Sequence, residues 1–324
     1  MTRNPASTSD SGFFGTSAYG GEGWSQRLQD HQDELGSIWS PYRLDSEWQT
    51  LKAVLLHCPG SELDASVDPD AVQMLAPLDR IRAAAQHDAL AEAYRQNGVE
   101  VHYVDPSETA KPNQMFCADL FFMTAEGAIL ARPASTVRAG EERWIARRLA
   151  DLGVPLLRSL TGKATFEGAD AMWLDPMTVI LGRGPRTNAE GVRQIGDALA
   201  DIGVEAIVVD MPYGTMHLMG MLRFPDRGLA VAWPRRTPHA AVEALQEREY
   251  RIIWLPDENV GYLYRSLNFV TLGPGRILMP EGHEVVQRLY EANGIDCTTL
   301  PMDELAKAAG AVGCLTGVLC RERG

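Results

Sequence analysis

The chain carries 324 residues, 45% of them hydrophobic and 23% charged, with a formal net charge of -13. Such proportions describe a soluble globular protein with ample core, arranged as one large domain or two ordinary ones. The acidic balance, with no basic run, excludes nucleic acid as a partner, and the lack of any stretch of about 18 apolar residues excludes a membrane-spanning helix.

Residues 1–45 are rich in Gly, Ser and Asp, and 9–23 have no period that could bury a face. This segment reads as disordered or loosely docked, with Trp24, Trp39 and Tyr42 available to touch the body. Residues 46–324 are expected to form a single domain. The apolar run 51–57, stopped by Cys58-Pro59-Gly60, predicts a buried strand. A polar loop (61–69) follows, then a long helical pattern ending at Gln96-Asn97-Gly98, then an alternating strand over 99–104.

From there one unit keeps returning. Its first copy is a hairpin (119–123 and 128–131) turning at Glu126-Gly127, a helix over 141–152 and a strand over 154–157. The second runs 170–174 and 178–182, a helix from Asn188 to near Gly203, and a strand over 204–210. The third is 219–224, 229–233, helix 240–249 and strand 251–255; the fourth is 268–272, 276–279, helix 284–293 and strand 295–300. A last strand passes through Cys314. A ββαβ repeat of roughly 50 residues predicts a ring, solenoid or propeller-like arrangement, because no single unit of that size buries its own apolar face. Asp119, Glu167, His217, Asn268 and Cys314 share one phase of the repeat, so closure around an axis would bring them together.

Taken singly these residues say little. A free cysteine usually packs as a small hydrophobe, and a lone histidine on an apolar strand is usually a satisfied core group. The cysteines (Cys58, Cys117, Cys297, Cys314, Cys320) show no C-x-x-C pair and the seven histidines no H-x-x-x-H spacing, so no disulfide framework, metal or cofactor is expected. The polar start of the chain lacks the regions of a signal peptide, so a cytoplasmic location is expected.

In this order, 113–119 (Asn-Gln-Met-Phe-Cys-Ala-Asp), 166–170 (Phe-Glu-Gly-Ala-Asp), 186–188 (Arg-Thr-Asn), 216–218 (Met-His-Leu) and 313–316 (Gly-Cys-Leu-Thr) resemble the guanidino-group-modifying enzymes. That superfamily comprises arginine deiminases, dimethylarginine dimethylaminohydrolases and amidinotransferases, and the second branch is the nearest in motifs. The resemblance covers residues 50–320 and implies a five-bladed pseudosymmetric α/β propeller, in agreement with the repeat. It also implies a covalent mechanism. Cys314 would attack the guanidinium carbon as a thiolate, and His217 would protonate the departing amine and then activate water. Glu167 would orient His217, and Asp119 would pair with the guanidinium. Arg138 and Arg186 would grip the substrate's α-carboxylate, and Asn113 and Phe116 would line the pocket. The loop 61–69 stands where relatives have a mobile lid.

Two departures bear on the substrate. Met219 stands two residues after the histidine, where deiminases and amidinotransferases have an aspartate, and its apolar side chain suits an N-substituted guanidine. Ala118 replaces a charged residue before Asp119. The resemblance therefore implies a hydrolase for arginine or an ω-N-methylated arginine, releasing an amine and a ureido product such as citrulline. An amidinotransferase is the second reading and a non-catalytic amino-acid-binding propeller the third. The expected partner is a small-molecule guanidino amino acid, and a homodimer is the assembly left open. Asn188 is expected to cap its helix, and Asp170 to cap its loop.

Overall fold

The structure, a computed structural model, describes residues 25–64, 68–256 and 266–323. The described residues fall into two units divided between Glu34 and Leu35. The first holds a single helical turn, His31–Glu34. The expectation for Trp24 lies outside the described residues, as does the middle of the loop 61–69; the loop opens with a short helical turn at Ser61–Leu63, and a second, Asp70–Val72, follows it.

From Leu35 onward the strands form five three-stranded sheets. Strand β1 (Leu51–Leu56) leads through helix α1 (Arg80–Gln96) to β2 (Glu100–Tyr103). Four complete copies follow. They are β3 (Phe121–Met123), β4 (Ala128–Leu130), α2 (Glu141–Asp151), β5 (Leu156–Arg158); then β6 (Ala171–Asp175), β7 (Thr178–Arg183), α3 (Ala189–Asp201), β8 (Glu205–Asp210). The next are β9 (Leu222–Asp226), β10 (Leu229–Ala232), α4 (His239–Glu247), β11 (Arg251–Trp254); then β12 (Val270–Gly273), β13 (Arg276–Pro280), α5 (Glu284–Ala292), β14 (Asp296–Leu300). In each, the hairpin pairs antiparallel and the strand after the helix pairs parallel to the middle strand. The fifth sheet joins the two ends of the fold: β15 (Gly317–Arg321) pairs antiparallel with β1, which pairs parallel with β2. The fold is thus the five-bladed α/β propeller that the resemblance implies and with which the repeat agrees.

Local chemistry places the helices. Asp79 caps α1 by accepting from the amides of Ile81 and Arg82, and Asn188 caps α3 through the amide of Gly191 at 2.8 Å, as expected. A residue at positive φ stops each helix: Gly203 (74°) after α3, and Glu249 (58°) after α4, where the sequence offers no glycine. The middle strands β7 and β10 are buried almost throughout, whereas the outer strand β8 is half-exposed. Apolar side chains of neighbouring blades interlock, as where Phe122 stacks on Trp173 with ring centroids 5.7 Å apart. Fully burying a side chain of that size contributes about 1.5–3 kcal/mol.

Residues 35–45 belong with the propeller. The amide of Ser40 donates to Gly153 O and that of Leu44 to Thr124 O, both at 2.9 Å, and the Tyr42 hydroxyl donates to Glu100 at 2.7 Å. Asp119 and Cys314, expected on strands, sit ahead of them, as Glu167 and His217 do. Asp119 ends a 3-10 turn (Cys117–Asp119), Glu167 and His217 open the turns Gly168–Asp170 and Leu218–Gly220, and Cys314 lies in a short helix, α6 (Val312–Leu315). A strand would send alternate side chains into the two flanking blades. A tight turn ahead of it leaves one polar side chain free to project from the end of the sheet.

Candidate active site

The turns gather at one cavity whose wall includes Asn113, Phe116, Asp119, Arg138, Arg186, His217 and Cys314. Glu167 stands immediately behind that wall, fully buried. Close approach of the turns depends on glycine. A Cβ on Gly168 would lie 2.2 Å from Phe121 O and 2.6 Å from Ala118 O, so only glycine lets the Glu167 turn nest against the Asp119 turn. A Cβ on Gly310 would fall 2.3 Å from the Phe116 ring.

His217 Nε2 meets Glu167 Oε2 at 2.6 Å, and its Nδ1 lies 3.9 Å from Asp119 Oδ1. Burial alone would lower the imidazole pKa, but the charge of Asp119 and the hydrogen bond to Glu167 outweigh it and lift the group up to about 9. Burial would raise Glu167, yet its hydrogen bond with His217 and the nearby cations hold it well below the usual carboxylate range. At neutral pH this pair is an imidazolium facing a carboxylate.

Cys314 borders the cavity half-exposed. Asn268 Nδ2 donates to its Sγ at 3.1 Å, while Asn268 Oδ1 accepts from the amides of Gly313 (2.8 Å) and Cys314 (3.3 Å). Burial and the charge of Asp119 push the thiol up, and the Asn268 hydrogen bond and the Arg223 charge pull the other way. Arg223 itself is buried, donates to Phe269 O and packs over the Phe269 ring at 5.2 Å. Asn268→Ala is expected to raise the alkylation pKa of Cys314 and to cut kcat/KM roughly 10–100-fold, the worth of one hydrogen bond to a charged group. The rate of iodoacetamide modification against pH measures the first and steady-state kinetics the second.

Arg138 is 3% exposed, and its guanidinium is largely committed. Nη1 donates to Asp119 Oδ2 at 2.6 Å and lies 3.7 Å from Glu167, and Nε donates to Glu141 Oε2 at 2.9 Å. The expected grip on a carboxylate is left to Nη2, which is buried with no hydrogen-bond partner among the described residues. Arg186, with a side chain 16% exposed and one 3.4 Å contact to Glu167, is the freer of the two. Asn113 donates to Val72 O at 2.8 Å and anchors the wall. Met219 is half-buried in its turn and lies off the cavity wall, whose apolar part is formed by Met216, Ala308 and Ala309 with Phe116.

Sequence reading also missed two braces. Burial pushes Glu141 up to about 8 even with Arg138 beside it, and nothing in its helix-start position signals that partnership. Asp170 ties turns together rather than capping its own loop. Its Oδ2 accepts from Thr187 Oγ1 at 2.6 Å and its Oδ1 from the amide of Leu218, in the next blade, at 3.0 Å. Asp119, Glu167 and His217 offer donor atoms within 4.8 Å of one another, the separation of a metal-binding trio. Arg138 already stands against both carboxylates, so a divalent ion there would face a buried guanidinium.

Comparison with known proteins follows from this geometry. A dimethylarginine dimethylaminohydrolase of Streptomyces coelicolor is 26% identical over 239 residues, 74% of this chain and 86% of the relative. The structure of a dimethylarginine dimethylaminohydrolase from Pseudomonas aeruginosa complexed with citrulline matches with a TM-score of 0.70 and 23% identity, over 84% of this chain and all of that one. SxtG, an amidinotransferase from Microseira wollei, matches with a TM-score of 0.68 and 16% identity, over 88% of this chain and 98% of that one. The family model for N,N dimethylarginine dimethylhydrolase, eukaryotic, matches residues 77–259, which include the Asp119, Glu167 and His217 turns and stop short of Asn268 and Cys314. With more than half its length matched by that model, the chain belongs to the dimethylarginine dimethylaminohydrolase family.

Proposed function

We propose that the cavity is the active site of a cysteine-dependent hydrolase acting on the guanidinium of arginine or of an ω-N-methylated arginine. The observation that carries this reading is Asp119 Oδ1. It is buried, without a hydrogen-bond partner among the described residues, on a wall shared with the Cys314 thiol and the His217 imidazole. What such an oxygen lacks is a cationic N–H donor. The reading agrees with the named activity of the Streptomyces relative and with citrulline in the Pseudomonas structure.

In the first half of the reaction the Cys314 sulfur forms a bond to the guanidinium carbon, and the proton on His217 passes to the departing nitrogen as its C–N bond breaks. In the second half His217 takes a proton from water, whose oxygen attacks the same carbon, and the C–S bond breaks to leave a ureido product. Arg186, with Arg138 Nη2, holds the α-carboxylate. Met216, Ala308 and Ala309 supply apolar wall for an N-methyl group, the part that the sequence assigned to Met219.

The protonation states predict the pH dependence. The resting pair is a thiol with an imidazolium, and one proton must leave before sulfur attacks. Burial pushes the Cys314 thiol up, and His217 is lifted to about 9. Consequently kcat/KM is expected to rise about tenfold per pH unit up to that region. Glu167→Gln, which removes the negative charge that helps hold His217 protonated, should move this limb to lower pH and lower its plateau. A limb that stays in place in the variant would contradict the assignment of Glu167.

The direct test is incubation with arginine, with methylated arginines, and with arginine plus an amine acceptor, with citrulline, released amine and guanidinylated acceptor all measured. Citrulline with amine supports the hydrolase, and guanidinylated acceptor transfers the assignment to an amidinotransferase. Neither product, with no adduct on Cys314, overturns both.

A further inference from the structure

Away from the catalytic cavity, one group of donors takes no part in the reaction. Cys58 lies just past the end of β1, and His87 and Asp88 are consecutive on α1. One donor atom from each of the three lies within 4.8 Å of the others. Consecutive helix positions point about 100° apart, so only a group set over the seam between them meets both side chains. Cys58 is that group.

His87 provides the second, independent observation. It is fully buried, and neither ring nitrogen has a hydrogen-bond partner among the described residues. Leaving such a group unsatisfied costs about 1–3 kcal/mol, so a core imidazole in that state wants a ligand. Tyr103, with its ring centroid 6.1 Å away, packs beside it as a wall.

We propose that Cys58, His87 and Asp88 form a binding site for a divalent ion of the zinc class, with water in the fourth position. A mixed thiolate, imidazole and carboxylate set selects zinc over magnesium or calcium, which prefer all-oxygen ligands. Bonds of about 2.0–2.3 Å place tetrahedral ligands roughly 3.3–3.8 Å apart. Small side-chain rotations of half-buried Cys58 and exposed Asp88 achieve that contraction. The Cys58 thiol loses its proton to water as the metal–sulfur bond forms. Cys58 also lines an open cleft with His57, His102 and Tyr103. The bound ion joins the end of β1 to α1 and stabilises the fold by mass action. No ligand spacing shows in the sequence because the donors come from separate elements.

Cobalt(II) is the probe, used on the full chain carrying Cys314→Ser so that the catalytic thiol cannot bind it. The expected result is a thiolate-to-cobalt charge-transfer band with tetrahedral d–d absorption, displaced by zinc(II). Adding Cys58→Ser should abolish the band, and Asp88→Asn, an exposed change that leaves the core intact, should weaken cobalt binding about tenfold or more. Saturating zinc should raise the melting temperature of the Cys314→Ser protein and not that of the Cys58→Ser, Cys314→Ser protein. Absence of the band in the Cys314→Ser protein, or its survival when both cysteines are replaced, overturns the proposal.

Discussion

Cys314→Ser is expected to lower kcat at least about 10⁴-fold, because a serine hydroxyl in the same place has no neighbouring base to make it a nucleophile. His217 cannot take over that work, since its proton is held by Asp119 and Glu167 with a pKa of about 9. The substitution removes a sulfur and leaves the rest of the substrate-binding wall (Asp119, Arg186, Met216) untouched. Affinity for arginine or methylated arginine, measured by calorimetry, should therefore stay within a few-fold of the unmodified protein. Acid-quenched wild-type protein should carry a substrate-derived mass on the peptide containing Cys314, and the variant none. Retained turnover in the variant would dismiss the covalent route, and loss of binding along with turnover would indicate that the thiol also positions the substrate.

Arg138→Met should be the most destabilising single change at the site. It removes the buried cation that faces Asp119, Glu141 and Glu167. Breaking a buried ion pair from one side costs about 3–5 kcal/mol, read as a lower urea midpoint. The loss depends on pH with a definite sign. Without Arg138 the carboxylates titrate higher in the folded state than in the unfolded one, so the folded state binds more protons. Stability then falls as pH rises through the window between their ordinary and raised pKa values. Burial already pushes Glu141 up to about 8 with Arg138 present, so the deficit should be smaller at pH 5 than at pH 8. An equal deficit at both would mean that these carboxylates do not depend on Arg138. Arg186→Met, at a partly exposed group with one long contact, should cost little stability and act chiefly on KM.

Much of the architecture was legible in the chain. Hairpins, helices and returning strands stand within a few residues of their expected places because their signals are local: apolar alternation, the Asn188 cap, and the glycines that stop helices. Asp119 and Cys314 were read as strand residues, since their apolar neighbours share the strand's composition, whereas both lie in short helical turns. Met216 was passed over for Met219: Met216 precedes the turn Leu218–Gly220 and lines the cavity, whereas Met219 lies within that turn and off the wall.

The residue types needed for attack on a guanidinium, and their order along the chain, were set by the sequence itself. Ring closure through β15 against β1 decided which side chains meet, and therefore their protonation states. Ion pairs such as Arg138 with Glu141 and Asp119, the Asn268 support beneath Cys314, and the brace from Asp170 to Leu218 exist only once the blades are packed. Their strength comes from distance and exclusion of water, and both are properties of the packed ring rather than of neighbours along the chain.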